Sequence, residues 1–146
     1  MSGAEGGDAP LGRAVPEPIN PAELGAPSGY SHGMLAPAGG RLLLVAGQIG
    51  WDADRRLAGP GFLEQFERAL ANVLAVVRAA GGGPEHLVRL TVYVTDKRDY
   101  LADREAVGAA YRSVMGRRYP AMALVEVAGL VEDGAKVEIE GTAVVP

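Results

Sequence analysis

The sequence predicts an α+β domain in which two helices cover one face of a sheet. Three features carry that prediction. Residues 62–77 hold an apolar stripe at helical spacing, and residues 87–95 alternate at strand spacing. Two short runs, Leu42 to Val45 and Ala121 to Val125, are apolar at every position. Strands read that way when both of their faces are covered. Two helices cover only one face. The other therefore calls for neighbouring subunits in a closed assembly, unless an element of the chain itself lies there.

The elements follow in order. Residues 1–18 are Gly, Ala, Pro and acid with no apolar period. Such a composition does not offset its own ordering entropy, so a disordered leader is expected, with the folded domain over 19–146. Ser28 to Pro37 predicts a short, irregular strand. Gly39-Gly40 is a turn signal before Arg41 to Ile49, and the two segments read as a β-hairpin. Trp51 to Pro60 is a polar loop, whose lone tryptophan either rims a pocket or pins the loop. From Phe62 the period becomes helical: Phe62, Phe66, Ala69, Leu70, Val73, Leu74 and Val77 share a stripe, with Glu64, Gln65, Glu67, Arg68 and Arg78 mostly off it. Gly81-Gly82-Gly83 and Pro84 stop this helix. Because the glycines follow a helix and do not open one, they are not a phosphate cradle.

In Leu87 to Thr95, Val88, Leu90, Val92 and Val94 share one face and Arg89, Thr91 and Tyr93 the other. Asp99 is the expected N-cap of a helix from Tyr100 to Met115, which Gly116 ends. Strands over 121–128 and 136–145 complete the chain, with a turn at Asp133-Gly134 between them. The order is β-β-α-β-α-β-β.

Composition removes several function classes. The 146 residues contain no cysteine, which excludes disulfides and thiolate metal sites and fits a reducing cytoplasm. Two histidines leave no His-rich metal site. The net charge of −4 is spread along the chain, without the basic face of a nucleic-acid binder. No apolar run approaches the ~20 residues of a membrane span.

Several motifs together resemble the reactive-intermediate-deaminase (RidA, or YjgF) family. They are Gly29-Tyr30-Ser31-His32, Val45-Ala46-Gly47-Gln48-Ile49, Asn72 in Leu70 to Leu74, Val92 to Asp96, Tyr119-Pro120-Ala121, Val125 to Ala128 and Val137-Glu138-Ile139-Glu140. The resemblance runs from about Ile19 to Pro146. It implies a chorismate-mutase-like fold with a mixed sheet, and a homotrimer with a central barrel and three clefts between subunits. It also implies hydrolysis of reactive enamines and imines, such as 2-aminoacrylate, to ketoacids and ammonia, without a metal or organic cofactor.

Hydrolysing an imine requires a held substrate, an activated water and a proton for the departing nitrogen. The resemblance assigns the carboxylate grip to an arginine in the 121–128 strand. An arginine fork suits that task, because it grips a carboxylate with two parallel charged hydrogen bonds. That position is Met122 here. Gly108 stands in place of a helix asparagine, and Leu124 in place of a small polar or thiol residue. Tyr30, Gln48 and Glu138 match the family's cleft tyrosine, the residue after the cleft glycine, and the carboxylate that positions water. Losing a buried charged anchor costs on the order of 2–5 kcal/mol, roughly 30- to several-thousand-fold. Small anionic 2-aminoacrylate-type imines are therefore poor substrates for this chain, and neutral or larger, more apolar ones fit better. Arg118 shares the parity of Met122 but lies four residues, or ~13 Å of strand, away.

Each residue also has a plainer role. Met122 and Leu124 also fit core packing, and Glu138 and Glu140 fit a solvated strand face. Tyr30 also fits a half-buried aromatic. His32 is read as a surface or packed histidine, and His86 as a surface one. The alternative function is a trimer that binds a small, largely apolar metabolite without turnover, as a sensor or pathway accessory. RNA cleavage, sometimes attached to the family name, is disfavoured by the acidic balance and the missing histidine pair.

Overall fold

The structure is a computed structural model that describes residues 15–146. Its described residues form six strands and three α-helices. They are β1 (Glu17–Ile19), β2 (Gly33–Leu35), β3 (Arg41–Ile49), α1 (Phe62–Ala79), β4 (Leu87–Val94), α2 (Lys97–Ala102), α3 (Arg104–Met115), β5 (Ala121–Glu126) and β6 (Val137–Val145). The expected α+β architecture is present. The main sheet has the order β3-β6-β4-β5 and is mixed: β4 and β5 run parallel, while β6 is antiparallel to both β3 and β4.

α1 begins at the predicted residue because Glu64 reaches back to cap it. Its Oε1 accepts from the Gly61 N–H at 2.6 Å. At the other end Gly81 takes φ 89°. The Gly81 N–H meets the Arg78 carbonyl and the Gly82 N–H the Val77 carbonyl, each at 3.0 Å. This crossed pair satisfies two carbonyls that a helix end otherwise leaves bare. The predicted stripe packs as read: Phe62, Phe66, Ala69, Leu70, Val73, Leu74 and Val77 are all buried. They meet Leu90, Val92 and Val94 of β4, Val137 and Ile139 of β6, and Val107, Tyr111 and Met115 of α3 in one core.

Several expectations are corrected. The leader through residue 14 lies outside the described residues, but Glu17 and Pro18, placed in it, pair with Leu35 and Met34 as β1. The hairpin between Ser28–Pro37 and Arg41–Ile49 does not form. β2 pairs with β1, and Ser31 bridges Ala121 at the opposite edge of the sheet, while β3 takes β6 as its partner. The nine-residue β6 offers β3 a long ladder that a three-residue β2 cannot match. The second helix is split. Asp103 interrupts it at φ −147° and caps α3 through Ala106, and Asp96, not Asp99, caps α2. β5 ends at Glu126 rather than at 128. The turn at Asp133-Gly134 leads into β6, which crosses past β5 to the sheet centre. Gln65, read as lying off the stripe, is fully buried. Its Nε2 donates to the carbonyls of Gly59 and Gly134, at 2.8 and 3.0 Å, and its Oε1 accepts from the Lys136 N–H at 2.8 Å. His86, read as a surface residue, is buried, with its Nδ1 accepting from the Gly83 N–H at 2.9 Å.

The face of the sheet away from the helices is bare. Leu42 and Leu44 are 68% and 72% exposed there. Both belong to the run Leu42 to Val45, which the sequence marks as covered on two sides.

Candidate functional site

Strand register separates the candidate residues into two groups. Met122 pairs with Leu90, and Leu90 with Gly141; Leu124 pairs with Val92, and Val92 with Ile139. Leu90, Val92 and Ile139 are buried under the helices, so Met122 and Leu124 share the helix side. Glu138 and Glu140 pair with Tyr93 and Thr91, in the alternate rows, and share the bare side.

On the helix side the chain encloses a half-open cavity of about 600 Å³. Tyr30, Gly108, Met122 and Leu124 all line it, together with Arg104 and Arg112. Tyr30 is presented by its neighbours. Gly29 turns the backbone at φ 76°, a conformation costly for side-chain-bearing residues. Ser31 then fastens the segment to the start of β5: its N–H donates to Pro120 at 3.0 Å and its Oγ to the Tyr119 carbonyl at 2.5 Å. The Tyr30 ring meets His32 edge-on, with centroids 5.3 Å apart. Tyr111 and Tyr119 stack at 5.3 Å on another wall. Tyr111 donates its hydroxyl to the Arg118 carbonyl, and burial pushes its pKa well above the usual phenol value. Met122 and Leu124 thus do both things considered for them: they pack against the core and form part of the cavity lining.

Gln48 and Glu138 do not line this cavity. They stand on neighbouring strands where β3 bulges against β6, with Gln48 opposite Ile139 and Ile49 opposite Glu138. The Glu138 carboxylate lies over Gly47, and a side chain at 47 would have to push it aside. The Gln48 Nε2 donates to the Ala46 carbonyl at 3.1 Å. Nearby, the Tyr93 hydroxyl donates to Glu140 at 2.6 Å, and this carboxylate raises the phenol's pKa. One chain therefore does not bring Tyr30 and Glu138 to a common point.

Trp51 pins its loop. It bridges Leu57, lies 5.8 Å under the Arg55 guanidinium, and receives the Asn72 Nδ2 on its carbonyl at 2.9 Å. His32 fastens its segment too, with its Nε2 3.1 Å from the Gly25 carbonyl. Among the described residues no group of three His, Asp or Glu side chains is placed to hold a metal ion, and no helix is long and apolar enough to cross a membrane.

Residues 21–145 match the family described as Endoribonuclease L-PSP, the RidA/YjgF family. The chain belongs to it. A goat RidA relative, 2-iminobutanoate/2-iminopropanoate deaminase, is 34% identical over 116 residues, which are 79% of each chain. A Rid-family protein of unknown function from Yersinia pestis superposes with a TM-score of 0.80 at 32% identity, covering 90% of this chain and all of that one. TdcF of E. coli, solved with bound serine, superposes at 0.62 with 29% identity, covering 84% and 92%. The RidA fold expected from the motifs is thus the fold observed.

Sequence reading missed Arg104 and Arg112. Their signal was available: 104, 108 and 112 recur at four-residue spacing and so share one helix face.

Proposed function

We propose that the chain is a hydrolytic deaminase of reactive enamine or imine intermediates, acting on substrates other than small 2-aminoacrylate-type anions. The convergence of Tyr30, Gly108, Met122 and Leu124 on one cavity carries this reading. The 34% identity to a 2-iminobutanoate/2-iminopropanoate deaminase supports it. In the reaction, water adds to the imine carbon, the C–N bond breaks, and the nitrogen leaves as ammonia while a carbonyl forms. The Tyr30 hydroxyl lines the cavity, where a phenol can orient the substrate or pass a proton. Glu138 is the water-positioning carboxylate, held over Gly47. It faces the other side of its own sheet, so a neighbouring copy completes each cleft. The bare Leu42 and Leu44 favour such an assembly, and we assign it as a homotrimer. The absence of cysteine fits a cytoplasmic setting.

The test is ammonia release from 2-iminopropanoate generated in situ, comparing the parent with Met122→Arg. The expected result is a weak parent and a variant that gains at least tenfold. A fully active parent would show that another group already anchors this small carboxylate. If neither protein releases ammonia from this or bulkier imines, the deaminase reading fails, and binding without turnover replaces it.

A further inference from the structure

The cavity carries positive charge that position 122 does not supply. Its lining holds two guanidinium groups, Arg104 and Arg112, against one carboxylate, Glu105. Among the described residues neither arginine is engaged in an ion pair. The Arg112 side chain reaches back along α3 and over Gly108. A Cβ built at 108 would stand 3.1 Å from its Nη1, so a larger residue there would crowd the guanidinium and shift it by a few tenths of an ångström or more. Nothing in the backbone asks for glycine there. Gly108 lies inside α3 and is not among the positive-φ glycines. Glycine is a poor helix former, so its presence needs a reason. The space it leaves for the Arg112 head supplies one. The lining also has an apolar part, with Phe66, Val92, Met122 and Leu124.

We propose that Arg112 is the carboxylate anchor of this cavity, moved from the β5 strand to the α3 helix. The matching ligand is a monocarboxylate with an apolar body, which fills the space over Met122 and Leu124 while its carboxylate meets the guanidinium. A volume of about 600 Å³ suits an aromatic or branched imino acid better than a three-carbon one. The proposal rests on reading this cavity as the deaminase site. It gives a chain without the strand arginine a means of selecting an acid. Arg112 is exposed, so the grip is screened by salt and is strongest at low ionic strength.

The experiment is calorimetric binding of phenylacetate and of its neutral isostere phenylacetamide to the full chain, at low salt. The parent is expected to prefer the acid by about tenfold. Arg112→Gln is expected to abolish that preference while leaving amide affinity unchanged. Gly108→Asn, which crowds the guanidinium, should weaken acid binding in the same direction. A parent that binds acid and amide equally, or binds neither at millimolar concentration, overturns the proposal. So does an Arg112→Gln variant that keeps the preference. Turnover of the imine of phenylalanine, generated in situ, separates this idea from the deaminase reading. Acid preference that depends on Arg112 without ammonia release leaves the anchor standing and removes the enzyme. Ammonia release with a KM unmoved by Arg112→Gln does the reverse.

Discussion

Gln65 shows how much one polar side chain can join. It is fully buried, and its three hydrogen bonds tie the loop before α1 and the turn before β6 to the helix itself. Truncation leaves two carbonyls and one N–H with fewer partners and opens a cavity. Gln65→Ala is therefore expected to lower unfolding free energy by about 2–4 kcal/mol, read as a lower urea midpoint. A midpoint that does not move would mean that the loops hold without it. This role was not legible in the sequence, where Gln65 is one polar residue among several beside an apolar stripe. Burial of His86 was hidden for the same reason, since local pattern does not report what long-range packing covers. The face of Glu138 was legible, because it alternates with Val137 and Ile139, but that of Met122 was not, because its run is apolar at every position. Arg112 was legible in its spacing from Gly108, but helical spacing alone does not tell a ligand-facing arginine from a solvated one.

At the scale of elements, the long helix α1 was read to within two residues at each end, since its stripe, its start and its glycine stop all agree. The second helix was read as one because Asp103 is not a strong breaker. It interrupts the helix by serving as the cap of α3. The hairpin failed because turn chemistry at Gly39-Gly40 says that the chain reverses, not which strand it then meets. The start of α2 allows a pH prediction. Bonds from the Arg98 side chain, and then from its backbone N–H, hold the Asp96 carboxyl at about 2, below its ordinary 3.8. The fold thus favours the ionised form. Its stabilising effect is complete above pH 3.8 and is lost as pH falls toward 2. The amide proton of Arg98 should titrate with a midpoint near 2 rather than near 3.8 when followed by NMR. In Asp96→Asn that titration should disappear.

For the whole molecule, the bare sheet face is the feature that the apolar runs foretold. Leu44 is 72% exposed within one chain, so replacing it should not disturb the core. Leu44→Glu is expected to leave a folded monomer, while the parent at micromolar concentration sediments at three times the 15.1 kDa chain mass. A parent that sediments as a monomer sinks the trimer, and the completed cleft with it. The strand order has a further consequence, for how the protein is made. β6 lies between β3 and β4, yet it is translated after both. Until residue 145 has left the ribosome, β3 has no ladder partner within its chain, and β4 has only β5. The nascent chain thus carries Leu42 and Leu44 unpaired for about a hundred residues of synthesis. Closure of the main sheet therefore waits for β6 to emerge, and the bare face takes shape only then.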